Sequence, residues 1–284
     1  MRPLASFAAV CCAGALLPGA LFLGLAASFA DQAPARADVL DISRGGLLYD
    51  KWWAVLETDP PQQTHPAYPA EGKSSGSGTW RCKECHGWDY KGAEGAYRKG
   101  SHYTGIKGIR AMAGADPRRI AALLRNKTHR YTKDMIPDEA ARNIALFVSR
   151  GQVDMDQFID RTTKRARGDA RRGKRFYGEY CSLCHGHDGR EMNFKDDKNP
   201  EFIGTVATKN PWEALHKIRN GQPGIRMVLP HPLSDQDQAQ DATAAVAMPK
   251  MRTGRPRVGM VLLGALDIQD QIDLLAYTQT LPVE

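Results

Sequence analysis

The sequence predicts a mostly α-helical fold in which one order of elements occurs twice. Two opening segments place apolar and aromatic residues at +3, +4 and +7 from a glycine, Gly45 in the first and Gly173 in the second, which is the spacing of one buried helix face. No segment alternates polar and apolar residues as a strand does. The apolar residues of the two segments are Leu48, Tyr49 and Trp52, and Phe176, Tyr177 and Tyr180.

Each half also contains a middle helix and a terminal helix. The middle segments, "DPRRIAALLRN" and "NPWEALHKIRN", each combine an N-capping residue, Asp116 or Asn210, with proline at the first helical position. The terminal segments, "PDEAARNIALFVSR" and "IQDQIDLLAYTQTLP", predict apolar helices. Their apolar residues include Ile144 and Phe147 in the first, and Ile272, Leu275 and Tyr277 in the second. The repeated order predicts two tandem helical domains.

Two insertions and a basic segment set the expected boundaries. A Pro/Gly/Ser-rich stretch near residues 56–79 predicts a surface loop in the first half, and a second insertion near residues 228–258 interrupts the second half. The dense basic run "TTKRARGDARRGKR" indicates an exposed linker at residues 152–170, with a docking patch as the alternative. The first domain is then expected at residues 31–151 and the second at residues 171–284.

Residues 1–30 have the layout of a secretory signal. One early charge, Arg2, precedes an apolar run that ends in small residues at Ala30, and a weaker cleavage site ends at Ala37. An uncleaved membrane anchor is the alternative because the run is long enough to span a bilayer, although its proline and glycines disfavour a membrane helix. We expect an exported, periplasmic protein that contacts the membrane only if this segment is retained.

All cysteines outside the signal segment belong to one motif that occurs twice. Cys-x-x-Cys-His is found in "WRCKECHGWDY" and again in "YCSLCHGHDG", whereas Cys11 and Cys12 lie in the signal segment. Exported proteins ordinarily use cysteines for structural disulfides, and this chain has none to spare. The first motif consists of Cys82, Cys85 and His86, and the second of Cys181, Cys184 and His185.

Three chemistries use cysteines at this spacing, and covalent haem attachment fits best. A disulfide oxidoreductase would place one pair in a βαβ unit, and a zinc ribbon would place two pairs about 15–20 residues apart. Here the pairs lie much further apart and each has its own histidine. Because residues i, i+3 and i+4 share a helix face, both cysteines can bind the vinyl groups of one porphyrin while the histidine ligates its iron. The two motifs predict two haem c groups.

Each half resembles a class I cytochrome c domain. The matching parts are the amphipathic opening helix, Cys-x-x-Cys-His-Gly, the middle helix that begins with proline, a methionine loop and a terminal helix with an aromatic residue. The closing "LLAYTQTLP" is typical of dihaem bacterial members. The resemblance covers most of residues 40–284. It implies two cytochrome c-like domains, each enclosing one covalently bound haem, and a role in electron transfer.

The same resemblance implies a sixth iron ligand, usually a methionine sulfur, which raises the haem potential. In the first half it points to Met135, which lies between the middle and terminal helices and is followed closely by proline. His102 and His129 are alternatives that would give a bis-histidine site. Met112 is interpreted as a packing residue, and Met155 lies beyond the terminal helix.

The sixth ligand of the second half is expected to be Met227, in "NGQPGIRM", because family members often have a methionine after this Gly-x-Pro-Gly pattern. Met260 is the alternative, since it lies at the usual distance before Tyr277. Met248, which is followed by proline, is a third candidate inside the insertion.

Four further residues near the motifs receive simpler interpretations. Trp80 and Trp88 flank the first motif and are expected to pack on the porphyrin. His65 lies in the inserted loop and is expected to be solvated, and His187 is expected at the surface near the haem edge.

The leading functional hypothesis is an electron carrier. Two six-coordinate haems would pass single electrons from a periplasmic dehydrogenase or respiratory donor to a downstream acceptor. The alternatives are a dihaem enzyme of peroxidase type, with an open or displaceable axial position, and a fixed electron-transfer subunit of an oxidoreductase complex. The net charge of +7 can indicate nucleic acid, an anionic membrane or an acidic protein partner, and export argues against nucleic acid. Redox partner proteins are therefore expected, although the sequence does not identify them.

Overall fold

Helices make up nearly all of the regular structure. The computed structural model describes residues 36–225 and 266–283, and within these ranges the only pairing of extended backbone is three isolated bridges. The prediction of a mostly helical fold is confirmed for these residues. The signal segment, the insertion near residues 228–258 and three candidate ligands lie outside the described residues; these ligands are Met227, Met248 and Met260.

The first half contains four helices within the described residues. Helix α1 kinks at Lys51, and α4 continues into one π-helical turn, Phe147–Gly151. The inserted loop between α1 and α2 is mostly exposed and ends in a 3₁₀ turn, Gly76–Trp80. The helices are α1 (Arg36–Leu56), α2 (Cys82–His86), α3 (Pro117–Leu124) and α4 (Asp138–Leu146).

The second half follows the same order with one additional helix, α7. Its opening helix, α5, continues through a π-helical turn, Tyr177–Cys181, directly into the helix of the second motif. Those of its helices that the structure describes are α5 (Ala170–Phe176), α6 (Ser182–His185), α7 (Ile203–Lys209), α8 (Pro211–Asn220) and α9 (Ile268–Thr278).

The two middle helices begin where the sequence predicts, but only one has the expected side-chain cap. The carboxylate of Asp116 accepts a hydrogen bond from the Arg118 backbone N–H at 2.9 Å and so caps α3. Asn210 occupies the same position before α8, with proline following. Its side-chain amide instead donates to the Glu213 carboxylate at 2.9 Å, so the expected cap does not form.

Opening and terminal helices cross in close contact at a glycine in both halves. A methyl group on Gly45 of α1 would lie 2.0 Å from the carbonyl oxygen of Asn143 in α4. A methyl group on Gly173 of α5 would lie 1.9 Å from the carbonyl oxygen of Asp273 in α9. Because both distances are far below van der Waals contact, only glycine allows the backbones to approach this closely. The sequence repeat therefore has a counterpart in helix packing.

One hydrophobic core contains residues of both halves. The predicted apolar face of α1 is confirmed, since its three residues are almost fully buried, and the core extends to apolar residues of α8 and α9. Met155 and Ile159, near the start of the expected linker, are buried in this core, whereas most residues of the basic run 162–175 are exposed. The division into two domains joined by a linker stays a prediction. Core residues contributed by the two halves include Leu48, Tyr49, Trp52, Ile144, Leu215, Ile272 and Leu275.

His216 of α8 is the polar centre of the contact between the halves. Its Nε2 lies 3.0 Å from the carbonyl oxygen of Gly46 in α1, and its Nδ1 lies 2.9 Å from the hydroxyl of Tyr90. Since a carbonyl only accepts, Nε2 carries the proton and Tyr90 donates to Nδ1. The ring is fully buried, and burial lowers its pKa to about 4.

The glycine crossing can be tested with two alanine variants of the second opening helix. Gly173→Ala should lower the free energy of unfolding by roughly 1–3 kcal/mol, because the added methyl group overlaps the backbone of α9. Gly178→Ala is the matched control, since no atom lies within 4 Å of its added methyl group. It should be neutral or stabilise by up to about 1 kcal/mol. Thermal unfolding compares the two variants, and equal melting temperatures would contradict a tight crossing.

The burial of His216 predicts loss of stability in mild acid. Between about pH 6.5 and about pH 4 the unfolded chain binds a proton at this ring that the folded chain does not, so the free energy of unfolding falls as the pH falls. One proton corresponds to about 1.4 kcal/mol per pH unit. His216→Gln should reduce this slope, measured by urea unfolding at pH 7 and at pH 5.

The same variant should lose roughly 1–3 kcal/mol at pH 7, because a buried polar partner is left unpaired. His187→Gln is the control for this second effect: the ring is exposed, so the change at pH 7 should stay within about 0.5 kcal/mol. An unaltered pH slope in His216→Gln would show that this ring is not the group responsible.

Candidate functional site

The two motifs end in the same backbone conformation. Gly87 follows the first histidine with φ 78°, and Gly186 follows the second with φ 77°, a left-handed conformation that favours glycine. The N–H of each glycine closes its short helix at 2.9 Å, on the carbonyl of Lys83 in the first motif and of Ser182 in the second. The glycine after each histidine is thus required by the end of the helix.

A tyrosine of each opening helix holds this glycine. The hydroxyl of Tyr49 in α1 donates to the carbonyl oxygen of Gly87 at 2.7 Å, and the hydroxyl of Tyr177 donates to the carbonyl oxygen of Gly186 at 2.7 Å. Both tyrosines are buried. Sequence reasoning identified them only as apolar face residues, although their equal spacing from Gly45 and Gly173 is a signal that could have revealed the shared role.

The first motif opens onto an apolar cavity of about 250 Å³. Ile120, Leu123 and Leu124 of α3 and Ile144 of α4 contribute to its wall, and both cysteines and the histidine of the motif lie on its lining. The other residues of functional interest on this lining are His65, Met112 and His129. Apolar cavities with a few convergent polar groups are the usual form of a cofactor site.

The imidazole of His86 has one nitrogen, Nε2, that is available to bind a metal. Its Nδ1 lies 2.8 Å from the carbonyl oxygen of Lys107, so Nδ1 carries the proton and Nε2 retains its lone pair. Burial lowers the pKa of His86 to about 4, which keeps the ring neutral at pH 7. A neutral imidazole whose other nitrogen donates to a backbone carbonyl is the usual arrangement of a metal-bound histidine.

The cysteines of the two motifs are free thiols in the structure. Burial raises the pKa of Cys82 to about 11 and those of Cys85 and Cys181 to about 12, so these thiols are protonated at neutral pH. A raised thiol pKa is the opposite of what activates the cysteine of a disulfide oxidoreductase.

The residues around the first motif fit a covalently attached haem. Two thiols and one neutral imidazole share a short helix, and they border an apolar cavity that the macrocycle of a porphyrin could enter. The two cysteines would hold the porphyrin through thioether bonds to its vinyl groups, and Nε2 of His86 retains the lone pair that would bind the iron ion.

His185 in the second motif has the corresponding position and is buried. Its ring lies edge-on to Phe194, with centroids 5.8 Å apart, and burial lowers its pKa to about 4. No polar atom of the described residues lies within hydrogen-bond distance of the buried Nδ1. Among the described residues, His185 therefore matches His86 in position and burial but not in the carbonyl partner of Nδ1; residues 226–265 of this half lie outside the described ranges.

One expectation about the inserted loop requires correction. His65 is not solvated: it is buried, with its ring centroid 4.3 Å from that of Trp80, and its Nε2 donates to the carbonyl oxygen of His129 at 2.8 Å. Trp88 packs on His216, with centroids 5.1 Å apart. Among the described residues that line the cavity there is neither Trp80 nor Trp88, so their expected packing on a porphyrin stays a prediction.

The candidate sixth ligands of the first half lie in different places. His129 borders the cavity, whereas His102 is exposed, stacks on Tyr97 and lies 3.3 Å from Glu84. Met135 is half-buried against the hydrophobic core and is not among the residues described as lining the cavity. Its assignment as a ligand stays a prediction.

The structure also describes the positions of His187 and Met155. His187 is exposed, as expected. Met155 is fully buried in the core shared by the halves.

The comparison with known families agrees with this chemistry for the second motif. A protein-family model described as "Cytochrome C oxidase, cbb3-type, subunit III" matches residues 168–244, which include the second motif and helices α5 to α8. The match supports a c-type cytochrome, with covalently bound haem c, an electron-transfer role and redox partner proteins. The first motif lies outside the matched residues. No curated protein and no solved structure matches the chain.

Domains of the matched type are typically extracytoplasmic or membrane-associated. In the part of the chain that the structure describes, no helix combines the length and apolar character needed to cross a bilayer.

Proposed function

We propose that this chain is a dihaem c-type cytochrome that transfers single electrons between redox proteins outside the cytoplasm. The observation that carries the proposal is the equivalence of the two motifs. Each ends at a left-handed glycine whose carbonyl oxygen accepts a hydrogen bond from a buried tyrosine of the opening helix. Since the matched family model supports haem c at the second motif, the same local structure supports haem c at the first.

Each motif residue has a defined role in this proposal. The cysteines form thioether bonds to the porphyrin, and His86 and His185 bind the two iron ions through Nε2. A bound haem supplies one-electron chemistry at its iron. Met227 is proposed as the sixth ligand of the second iron, with Met260 as the alternative. The cysteines are Cys82 and Cys85 in the first motif, and Cys181 and Cys184 in the second.

The surroundings of the first motif suit electron transfer. The cavity wall is almost entirely apolar, and such a wall excludes water from a bound cofactor. The carbonyl oxygen of Lys107 holds the ring of His86 in one orientation and one tautomer. A cofactor fixed by two covalent bonds and one oriented imidazole can gain or lose an electron without large rearrangement of the protein.

The proposed organisation follows the sequence repeat. We place the first cytochrome c domain at residues 31–151 and the second at residues 171–284, with residues 152–170 joining them and a signal segment at residues 1–30. The proposed location is the periplasm, with attachment to the membrane if the N-terminal segment is retained. The opening and terminal helices of each proposed domain cross at equivalent glycines, which supports these boundaries.

A second candidate function is that of a fixed electron-transfer subunit in an oxidoreductase complex. The observation that favours it is the matched family itself, which is described as a subunit of an oxidase. The two candidates share the haem chemistry and differ in whether the partner is bound permanently. Size-exclusion chromatography of the protein purified from its native membrane or periplasm distinguishes the two candidates, because a permanently bound partner elutes together with the chain.

The number of haems can be measured with two matched double variants. Cys82→Ala combined with Cys85→Ala should remove one covalent haem, and Cys181→Ala combined with Cys184→Ala should remove the other, because thioether attachment requires the thiols. Intact mass of the unmodified protein should correspond to two haems, and each variant should retain one on a denaturing gel stained for haem. A mass with a single haem, or loss of the same haem in both variants, would contradict the proposal.

Carbon monoxide separates the carrier from an enzyme of peroxidase type. If both iron ions are six-coordinate, carbon monoxide should not change the visible spectrum of the reduced, unmodified protein. Binding by the unmodified protein would indicate an open or displaceable position and would favour the enzyme. Partial unfolding with urea provides the positive control, since loss of an axial ligand should permit binding.

A further inference from the structure

Two imidazole rings face the cavity of the first motif. His86 comes from α2, and His129 comes from the turn that follows α3. The centroids of the two rings are 6.2 Å apart, with an angle of 38° between the ring planes. Both rings belong to the lining of the same cavity as the two cysteines of the motif. The sequence separates them widely, and only the fold places them together.

In both rings Nε2 is the nitrogen that keeps its lone pair and is available to a metal. Nδ1 of His86 lies 2.8 Å from the carbonyl oxygen of Lys107, and Nδ1 of His129 lies 3.0 Å from the carbonyl oxygen of Leu123. A carbonyl oxygen only accepts, so each Nδ1 carries the proton and each Nε2 keeps its lone pair. This hydrogen bond from Nδ1 to a carbonyl is the usual support of a metal-bound histidine, and the site contains it twice.

The distance between the two ring centroids agrees with that of two imidazole ligands on opposite sides of one ion. With an imidazole–metal bond of about 2 Å on each side, a metal between two opposed imidazoles separates their ring centroids by roughly 6 Å. The observed 6.2 Å agrees with this value.

The backbone of His129 is held on both sides. Its N–H donates to the side-chain oxygen of Asn126 at 2.9 Å, and its carbonyl oxygen accepts from Nε2 of the buried His65 at 2.8 Å. His65 is itself oriented, because its Nδ1 accepts from the N–H of Ala67 at 3.1 Å. The inserted loop therefore supports the residue that faces His86, and this gives the loop a structural purpose.

The two methionines nearby are less well placed. Met135 packs against the hydrophobic core and is not among the described residues that line the cavity. Met112 lines the cavity, but it belongs to the short turn that follows Ile109, in the segment whose Lys107 supports His86.

We propose that Nε2 of His129, rather than the sulfur of Met135, is the sixth ligand of the first haem iron, which makes this a bis-histidine site. The proposal rests on the proposed attachment of haem at the first motif. Axial methionine raises the potential of a haem, so a bis-histidine site has the lower potential of the two if the second iron has a methionine ligand. Electrons would then pass downhill from the first haem to the second.

The test uses the full-length protein with both haems attached and two single variants. His129→Ala should open the first iron, so that the reduced protein binds about one carbon monoxide molecule per chain. Met135→Leu is the matched control, because leucine conserves the apolar volume but has no sulfur ligand. The Met135→Leu variant should bind no carbon monoxide, and the near-infrared absorption of its oxidised form should equal that of the unmodified protein. Added imidazole should restore the six-coordinate spectrum of the oxidised His129→Ala variant.

A third variant should gain a near-infrared absorption band, which a misfolded protein would not show. His129→Met should add near-infrared absorption from a new sulfur–ferric iron bond and raise the lower of the two midpoint potentials. Carbon monoxide binding by Met135→Leu or Met112→Leu, or a closed first iron in His129→Ala, would overturn the proposal. Intact mass distinguishes this failure from failure of the proposed function: two haems in every variant leave haem attachment intact, whereas their absence would refute attachment itself.

Discussion

The close crossing of the opening and terminal helices is the constraint on which the rest of the structure depends. At Gly45 and Gly173 the backbones approach so closely that no side chain fits between them. This approach sets the position of the tyrosine one turn later on each opening helix, whose hydroxyl reaches the glycine that ends the motif helix. The orientation of each Cys-x-x-Cys-His helix relative to the core therefore follows from one glycine.

In the first site, hydrogen bonds to backbone carbonyls orient the imidazole rings of His86 and His129. The carbonyl oxygen of Lys107 orients His86, and that of Leu123 orients His129. Lys107 and Leu123 both line the cavity, so each ring is oriented by the backbone of the cavity wall itself. Such support from a second layer of residues is what tunes a metal site. The inserted loop contributes to it through His65, which links loop and site.

The halves of the chain are joined by a buried polar contact within an apolar core. His216 bridges Gly46 in the first opening helix and Tyr90, which follows the first motif, so the second half contacts both elements that position the first site. Trp88, two residues after His86, packs on the same ring. A change at this contact can reach the first site through Tyr90 and Trp88. The halves are thus expected to unfold together rather than as independent units.

The sequence by itself determined the helical fold class and the repeated order of elements, and it predicts the haem attachment residues. These depend on local chemistry: helical spacing on α1, proline at the start of α3 and α8, and cysteines and histidine on one helix face. Only the tertiary structure decided which side chains face the cavity. His65, expected in solvent, is buried because the loop folds over Trp80. His129 meets His86 because the turn after α3 packs beside α2, a contact between residues that are distant in the chain and that no local pattern encodes.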